Sequence, residues 1–270
     1  MDTLTAIASW SGGKDSCLAC YKAIKKGHRI TTLLNFISTE SKRCCFHGIE
    51  ADLISLQAEL IGIPLVQKEV TPDMQEYEKE FKAAVRGINP FDFPRAPSPG
   101  FTLRVGHSAE LSRSHTERRL YISRRKRRGL RAAERTKNIN AMVFGDIYLD
   151  EHKDWVERVC RDLGIRAIEP LWNNQARALV EEFIDLGFKA VVVSCQADRL
   201  GKEFVGRTVD KKFVAELIAR NICPCGENGE FHTLVIDGPL FKKGIKIIES
   251  APVLKEGFWK YWFLDIKKYQ

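Results

Sequence analysis
Two short stretches of this chain of 270 residues gather the residue types that handle phosphate, protons and cations. The first is Ser11-Gly12-Gly13-Lys14-Asp15-Ser16. It follows a short apolar run and precedes a helical pattern, so free backbone N–H groups and the positive end of a helix dipole converge there. Gly12 and Gly13 let the main chain approach an anion with no Cβ between them. Ser11 and Ser16 add hydroxyl donors, and Lys14 adds a charge. The expected ligand is a phosphate or pyrophosphate. The second stretch is Pro224-Cys225-Gly226-Glu227-Asn228-Gly229-Glu230-Phe231-His232-Thr233, a glycine-rich turn entering a strand. Alternation sends Glu230, His232 and Leu234 to one face of that strand and Phe231 and Thr233 to the other. Such a set can bind a cationic substrate, hold Mg²⁺ or transfer a proton. A polar hairpin that satisfies only its own hydrogen bonds would use the same residues.

The phosphate loop belongs to neither of the two commonest types. A Walker A loop needs Gly-Lys followed by Ser or Thr, but Lys14 is followed by Asp15. The dinucleotide fingerprint Gly-x-Gly-x-x-Gly is absent as well. The string instead resembles Ser-Gly-Gly-x-Asp-Ser, the loop of the PP-loop ATP pyrophosphatases. That resemblance implies cleavage of ATP between its α- and β-phosphates, with AMP placed on an oxygen and then displaced by a nitrogen or sulfur nucleophile.

The elements that must position these residues follow from periodicity. Leu4 to Trp10 reads as a strand, Cys17 to about Lys26 as a helix closed by Gly27, and Ile30 to Phe36 as a buried strand. Ile49 to Leu60 shows helical spacing through Leu53, Leu56 and Leu60. Pro64-Leu65-Val66 opens a third strand, and Pro72-Asp73 starts a third helix reaching Val85. Ala141 to Phe144 is a strand ending at Gly145-Asp146, followed by a helix from Ile147 to Leu163 with Gly164 as its stop. Strands alternating with helices predict an α/β domain with a parallel sheet covered on both faces, over residues 1–165. Residues 166–270 change character. Helices near Asn174–Leu186 and Asp210–Ala219 flank the strand Ala190–Val193, and strands follow at Phe231–Ile236, Ile245–Ile248 and Phe258–Ile266. This predicts a smaller C-terminal α+β domain that binds substrate.

Composition limits the function classes. An apolar fraction of 44% suits a globular protein with a real core. No apolar run approaches the ~18 residues of a membrane span. The N-terminus lacks a secretory pattern, so a cytoplasmic protein is expected. The net charge of +8 and pI ≈ 9.0 would suggest a polyanion partner. However, residues 86–137 hold 14 basic and 4 acidic residues, and the rest of the chain holds 29 and 31. The charge therefore lies in one segment, 88–128, which has four of the ten prolines and the run Arg124-Arg125-Lys126-Arg127-Arg128. It reads as a flexible, solvated insertion, and it is the one place where nucleic acid would be contacted. The eight cysteines should be thiols in a reducing compartment. Cys17 and Cys20, one helical turn apart, would pair with Cys44-Cys45 or Cys223 and Cys225 only if the chain held a metal or Fe–S site. Buried thiols are the favoured reading, and no metal site is assigned to protein side chains.

With these residues in view, the chain resembles the diphthine–ammonia ligase (diphthamide synthetase) family of PP-loop enzymes. The matching strings are Ser11 to Cys17, Cys45-Phe46-His47-Gly48, Gly145 to Arg158, and Cys225 to Thr233, the last being the most family-specific. The resemblance spans nearly the whole chain except about 88–128, and implies a Rossmann-like, HUP-type nucleotide domain. It further implies that ATP adenylates the diphthine carboxylate of elongation factor 2 and that ammonium supplies the nitrogen, releasing AMP and pyrophosphate. Free ammonium is expected because no stretch is left over for a glutamine-hydrolysing domain. By this likeness Gly12, Gly13 and Ser16 would hold the pyrophosphate, with Ser11, Asn35, His47, Gly145 and Asp146 completing the nucleotide set. Lys14 would neutralise developing charge and Asp15 would orient a Mg²⁺ ion. Glu227, Glu230 and His232 would act on the modified side chain. Cys225, Asn228 and Thr233 would line its site, and Trp155 would face its quaternary ammonium as a cation–π surface. Two alternatives stay open: a PP-loop tRNA-modifying enzyme of thiolation or lysidine type, and a nucleotide-binding sensor without turnover. A homo-oligomer also stays open.

Overall fold
The computed structural model describes residues 3–45, 47–71, 73–88, 139–256 and 260–270. Nearly all of the basic segment 88–128 lies outside these residues, as do Phe46, Pro72 and Phe258. Five strands form a parallel sheet: β1 (Thr5–Ser9), β2 (Arg29–Ser38), β3 (Leu65–Val70), β4 (Ala141–Val143) and β5 (Arg166–Ile168), in the order β3-β2-β1-β4-β5. The intervening helices are α1 (Lys14–Lys25), α2 (Ala51–Ile61), α3 (Met74–Gly87) and α4 (Asp150–Leu163).

Pleat alternation explains why both faces are covered. Ala6, Ala8, Leu33, Ala141 and Val143 belong to one buried cluster with Cys17, Leu18 and Cys20 of α1 and Leu53 and Ile54 of α2. Their chain neighbours Ile7, Leu34 and Met142 belong to a second cluster with Phe81 and Val85 of α3 and Val156, Val159 and Cys160 of α4. Burial of each large side chain here contributes about 1.5–3 kcal/mol. The two ends bordering the basic segment are anchored in this second cluster. Ile88 is buried in it, Ile139 packs against it, and Asn140 exchanges hydrogen bonds with Thr5. Between α3 and α4, Glu78 accepts from both Arg158 and Lys82, and Lys82 also meets Asp162. These bonds from Arg158 and Lys82 hold the Glu78 carboxyl down at about 2.

The second sheet is antiparallel, in the order β7-β6-β9-β8. It consists of β6 (Lys189–Gln196), β7 (Phe231–Asp237), β8 (Ile247–Glu256) and β9 (Lys260–Tyr269), with helices α5 (Ala176–Asp185) and α6 (Lys211–Ala219). The described residues all belong to one compact unit. The first cluster runs on from Ala6 and Leu33 into Val192, Leu234 and Leu264.

Several boundaries differ from the expectations, each for a physical reason. Helix α1 already starts at Lys14, inside the phosphate motif. Helix α4 starts at Asp150 rather than Ile147, with Leu149 before it in extended backbone, and the Ile147 N–H donates to the Glu227 carboxylate. Strand β5 was not expected, since Arg-Ala-Ile is too short and too exposed to show a period. Strand β8 begins at Ile247 and runs to Glu256 through Pro252, which an edge strand tolerates.

Candidate active site
At the carboxyl end of β1 the chain turns through Ser11 and Gly12 into α1. Gly12 has φ +79°, and a Cβ there would lie 2.5 Å from Ile54 Cδ1 and 2.9 Å from Gln57 Oε1. Both the conformation and the space demand glycine. The loop is braced by its own hydroxyls. The Ser11 and Ser16 Oγ atoms are 3.2 Å apart, the Gly13 N–H donates to Ser11 Oγ (3.2 Å), and Ser16 Oγ donates to the Gly13 carbonyl (3.1 Å). Gly145, at the carboxyl end of β4, lies against the same turn. A Cβ on it would stand 2.9 Å from the Asp15 carbonyl carbon and 3.0 Å from the Ser16 nitrogen. Gly145 thus lies directly against the first turn of α1, whose N–H groups at Asp15 and Ser16 have no partner four residues back.

The second motif meets this loop directly. The Val235 N–H donates to the Gly12 carbonyl (2.9 Å), and the Lys14 N–H donates to Thr233 Oγ1 (3.1 Å). The N-cap residue of α1, Gly13, has no side chain to offer, so Thr233 caps the helix from β7. Lys14 is only 4% exposed. Its ammonium donates to Asp15 Oδ2 (2.9 Å) and to the Cys225 carbonyl, and lies 5.2 Å from the Phe231 ring centre. Burial acts to lower its pKa, but Asp15, Cys225 and Glu227 outweigh this and the net shift is upward, so Lys14 is a buried cation. Burial raises the Asp15 carboxyl, with Lys14 opposing.

Glu230 is 3% exposed, and its carboxylate organises the turn. It accepts from the Cys223 N–H (3.4 Å), the Asn228 N–H (3.1 Å) and Asn228 Nδ2 (3.2 Å). Glu227 reaches across to the Ile147 N–H (3.0 Å), and its pKa is raised by burial. His47 and His232 lie with ring centres 4.7 Å apart, and His47 Nδ1 sits 3.1 Å from the Thr233 carbonyl. A carbonyl only accepts, so Nδ1 carries the proton of a neutral His47. Burial pushes His47 down to about 4 and His232 well below its usual value, with Lys14 adding repulsion to both. Both imidazoles are uncharged at neutral pH.

Beyond β4 and β5 stand further carboxylates. Asp146 bonds His152 Nδ1 (3.0 Å), which raises the His152 pKa. Glu169 is pushed up to about 7 by burial and by Asp146, and its buried Oε1 has no hydrogen-bond partner. Asp146 also raises both Asp15 and Glu227, so these four carboxyl groups share one electrostatic field.

The structure brings together Ser11, Gly12, Gly13, Lys14, Asp15, Ser16, His47, Gly145, Asp146, Glu227, Glu230, His232 and Thr233. Three expected residues are occupied otherwise. Trp155 packs with Phe81 (5.0 Å between ring centres) and Tyr77 (6.1 Å) in the second core cluster. Asn35 is 1% exposed and donates to the Trp10 carbonyl (2.8 Å) and Cys44 Sγ (3.0 Å). The Cys225 thiol donates to the Ala176 carbonyl (3.0 Å). Gln57, Tyr148 and Glu169 were not expected at the site. Tyr148, in the loop before α4, bonds the turn through Asn228 (3.3 Å) and Cys223 (3.2 Å). Among the described residues no group of three or more His, Cys, Asp or Glu is placed to hold a metal ion. Burial pushes the Cys20 and Cys44 thiols up to about 12 and raises Cys17 and Cys225 too, so none is a ready thiolate ligand. No described helix is long and apolar enough to cross a membrane.

Comparison with known proteins places the chain in a family. The family model described as the diphthamide synthase N-terminal domain matches residues 4–91 and 121–167, and that of the diphthamide synthase C-terminal domain matches residues 175–270. Residues 92–120 fall outside both matches, a shorter interruption than 88–128. A mouse protein named diphthine–ammonia ligase is 26% identical over 255 residues, which is 90% of this chain and 83% of that protein. Its human counterpart of the same name is 26% identical over 255 residues, covering 82% of the human protein. A Schizosaccharomyces pombe protein of that name is 24% identical over 271 residues, covering 95% of this chain but only 38% of the yeast protein. By the matches to both of its domain models, this chain belongs to the diphthamide synthase family.

Proposed function
We propose that this chain is an ATP-dependent carboxylate–ammonia ligase that converts diphthine on elongation factor 2 to diphthamide in the cytoplasm, releasing AMP and pyrophosphate. The observation that carries this reading is the direct hydrogen bonding of the Ser11–Ser16 loop to the Cys225–Thr233 strand through Lys14, Thr233 and Val235. The glycine-serine turn and the carboxylate-rich turn are hydrogen-bonded neighbours. In functional terms residues 1–165 supply the nucleotide side and residues 166–270 the substrate side.

In this reading the N–H groups of Asp15 and Ser16 and the hydroxyls of Ser11 and Ser16 hold the β- and γ-phosphates of ATP. The diphthine carboxylate oxygen attacks the α-phosphorus, and the bond to the β-phosphate oxygen breaks with loss of pyrophosphate. Ammonia then attacks the acyl carbon, AMP leaves with the bonding electron pair, and the nitrogen loses a proton. The uncharged imidazoles of His47 and His232 are assigned as the bases that take that proton. Asp146, Glu169 and Glu227 offer negative charge to the quaternary ammonium. The carboxylate oxygens of Asp15 and Asp146 fit a hard cation, and they would hold Mg²⁺, which would screen the phosphates. Lys14 is engaged by Asp15 and Cys225, so its part is to join the two motifs.

The test is incubation of the purified chain with ATP, ammonium and diphthine-bearing elongation factor 2. Equal amounts of AMP, pyrophosphate and amidated product support the reading. ATP binding without AMP release would make the chain a nucleotide sensor. AMP release without amide formation would assign another acceptor.

A further inference from the structure
We infer that Gln57 is a positioning residue that sets the shape of the phosphate loop from beneath and couples it to β7. Gln57 is the one strongly polar residue on the buried face of α2, beside Leu53, Ile54, Ala58 and Ile61, and it is fully buried. Its amide is used on both ends. Oε1 accepts from Trp10 Nε1 (2.8 Å), and Nε2 donates to the Gly12 carbonyl (3.0 Å) and the Val235 carbonyl (2.7 Å). The Val235 N–H binds that same Gly12 carbonyl (2.9 Å). The peptide that follows the left-handed Gly12 is therefore fixed by one side chain of α2 and one N–H of β7. The orientation of that peptide decides where the Gly13 and first-turn N–H groups of α1 point. A fully buried amide with two donors and one acceptor so matched is specific to glutamine at this position. A carboxylate cannot donate, and an alkyl group would leave two carbonyls and an indole N–H without this partner.

This inference rests on ATP binding at the Ser11–Ser16 loop, and the test separates the two. ATP binding is measured by calorimetry, and turnover by AMP release, for the intact chain and for Gln57→Glu and Trp10→Phe, at a temperature where circular dichroism shows all three folded. If the intact chain binds no ATP, the site assignment itself fails. If it does, Gln57→Glu should lower kcat/KM for ATP by roughly a hundredfold at pH 8, chiefly through KM. The carboxyl group introduced by Gln57→Glu is buried, so its pKa is raised, and only its protonated form can donate to a carbonyl. The activity of this variant relative to the intact chain should thus rise as pH falls from 8 to 6. Trp10→Phe removes one donor but keeps the hold on Gly12, and should stay within about threefold of the intact chain. A Gln57→Glu protein with unchanged KM, or with a loss that is equal at all pH values, would overturn the inference. So would a Trp10→Phe loss as large as that of Gln57→Glu, because generic packing would then explain both.

Discussion
The two motifs that meet at the start of α1 use their residues in opposite ways. The Ser11–Ser16 loop works through its main chain. Gly12 creates the turn, Gly145 lies against the main chain of Asp15 and Ser16, and the serines brace each other. In the Cys223–Thr233 turn the side chains carry the structure. Glu230 gathers the Cys223 and Asn228 N–H groups, Thr233 caps α1, Glu227 holds Ile147, and the Cys225 carbonyl accepts from Lys14. A motif rich in acids and an imidazole suggests chemistry throughout, yet Glu230 serves its own turn, and Thr233 and the Cys225 carbonyl hold the first motif. In the proposed reading the carboxylates left for the cationic substrate are Asp146, Glu169 and Glu227.

That contrast orders the expected effects of substitution. The largest loss should come from Gly145→Ala, because the added methyl group would meet main-chain atoms of Asp15 and Ser16 at 2.9–3.1 Å, and backbone cannot swing aside. Activity should fall roughly a hundredfold, and the same overpacking should lower stability by about 1–3 kcal/mol, measured by AMP release and by melting. Glu230→Gln comes next and should act chiefly on stability. It turns an NH₂ group toward donors that the carboxylate satisfied, costing about 1–3 kcal/mol, so melting temperature and activity should fall together. If Glu230→Gln kept full stability and lost only turnover, the turn would be catalytic rather than structural. Thr233→Val should cost about 1 kcal/mol, the value of a helix cap, read from denaturant midpoints.

The last effect concerns pH. His47 titrates at about 4 in the fold against 6.5 for an ordinary histidine, so below pH 6.5 the unfolded chain binds a proton that the fold refuses. Stability should therefore decline from pH 7 to 5, less steeply in His47→Gln. Glu169 opposes this. Its folded value of about 7 against an ordinary 4.5 means that stability is lost as pH rises through 5 to 7, and Glu169→Gln should remove that part.

Much of this was legible in the residues. The phosphate loop could be read because a tight turn, a close backbone approach and a helix start demand particular residue types at particular spacing. The five-stranded sheet was legible through four of its strands, because apolar runs between helical patterns leave few topologies. Three things were hidden. Strand β5 is three residues long. Trp155 precedes Val159 by one helical turn, on the apolar stripe of α4, and that spacing places it in the core rather than toward a ligand. Gln57 interrupts an otherwise apolar stripe, and a lone polar residue on a buried helix face was the available sign that something polar waits beneath it.

The central claim is that the nucleotide loop and the carboxylate turn form one ligase site. Its most direct test is the product balance in the presence of diphthine-bearing elongation factor 2, ATP and varied ammonium. The account predicts one AMP for each amide formed, with both rising with ammonium and both lost together in Gly145→Ala. AMP released at the same rate with no ammonium and no amide, or amide formed without AMP, would contradict it.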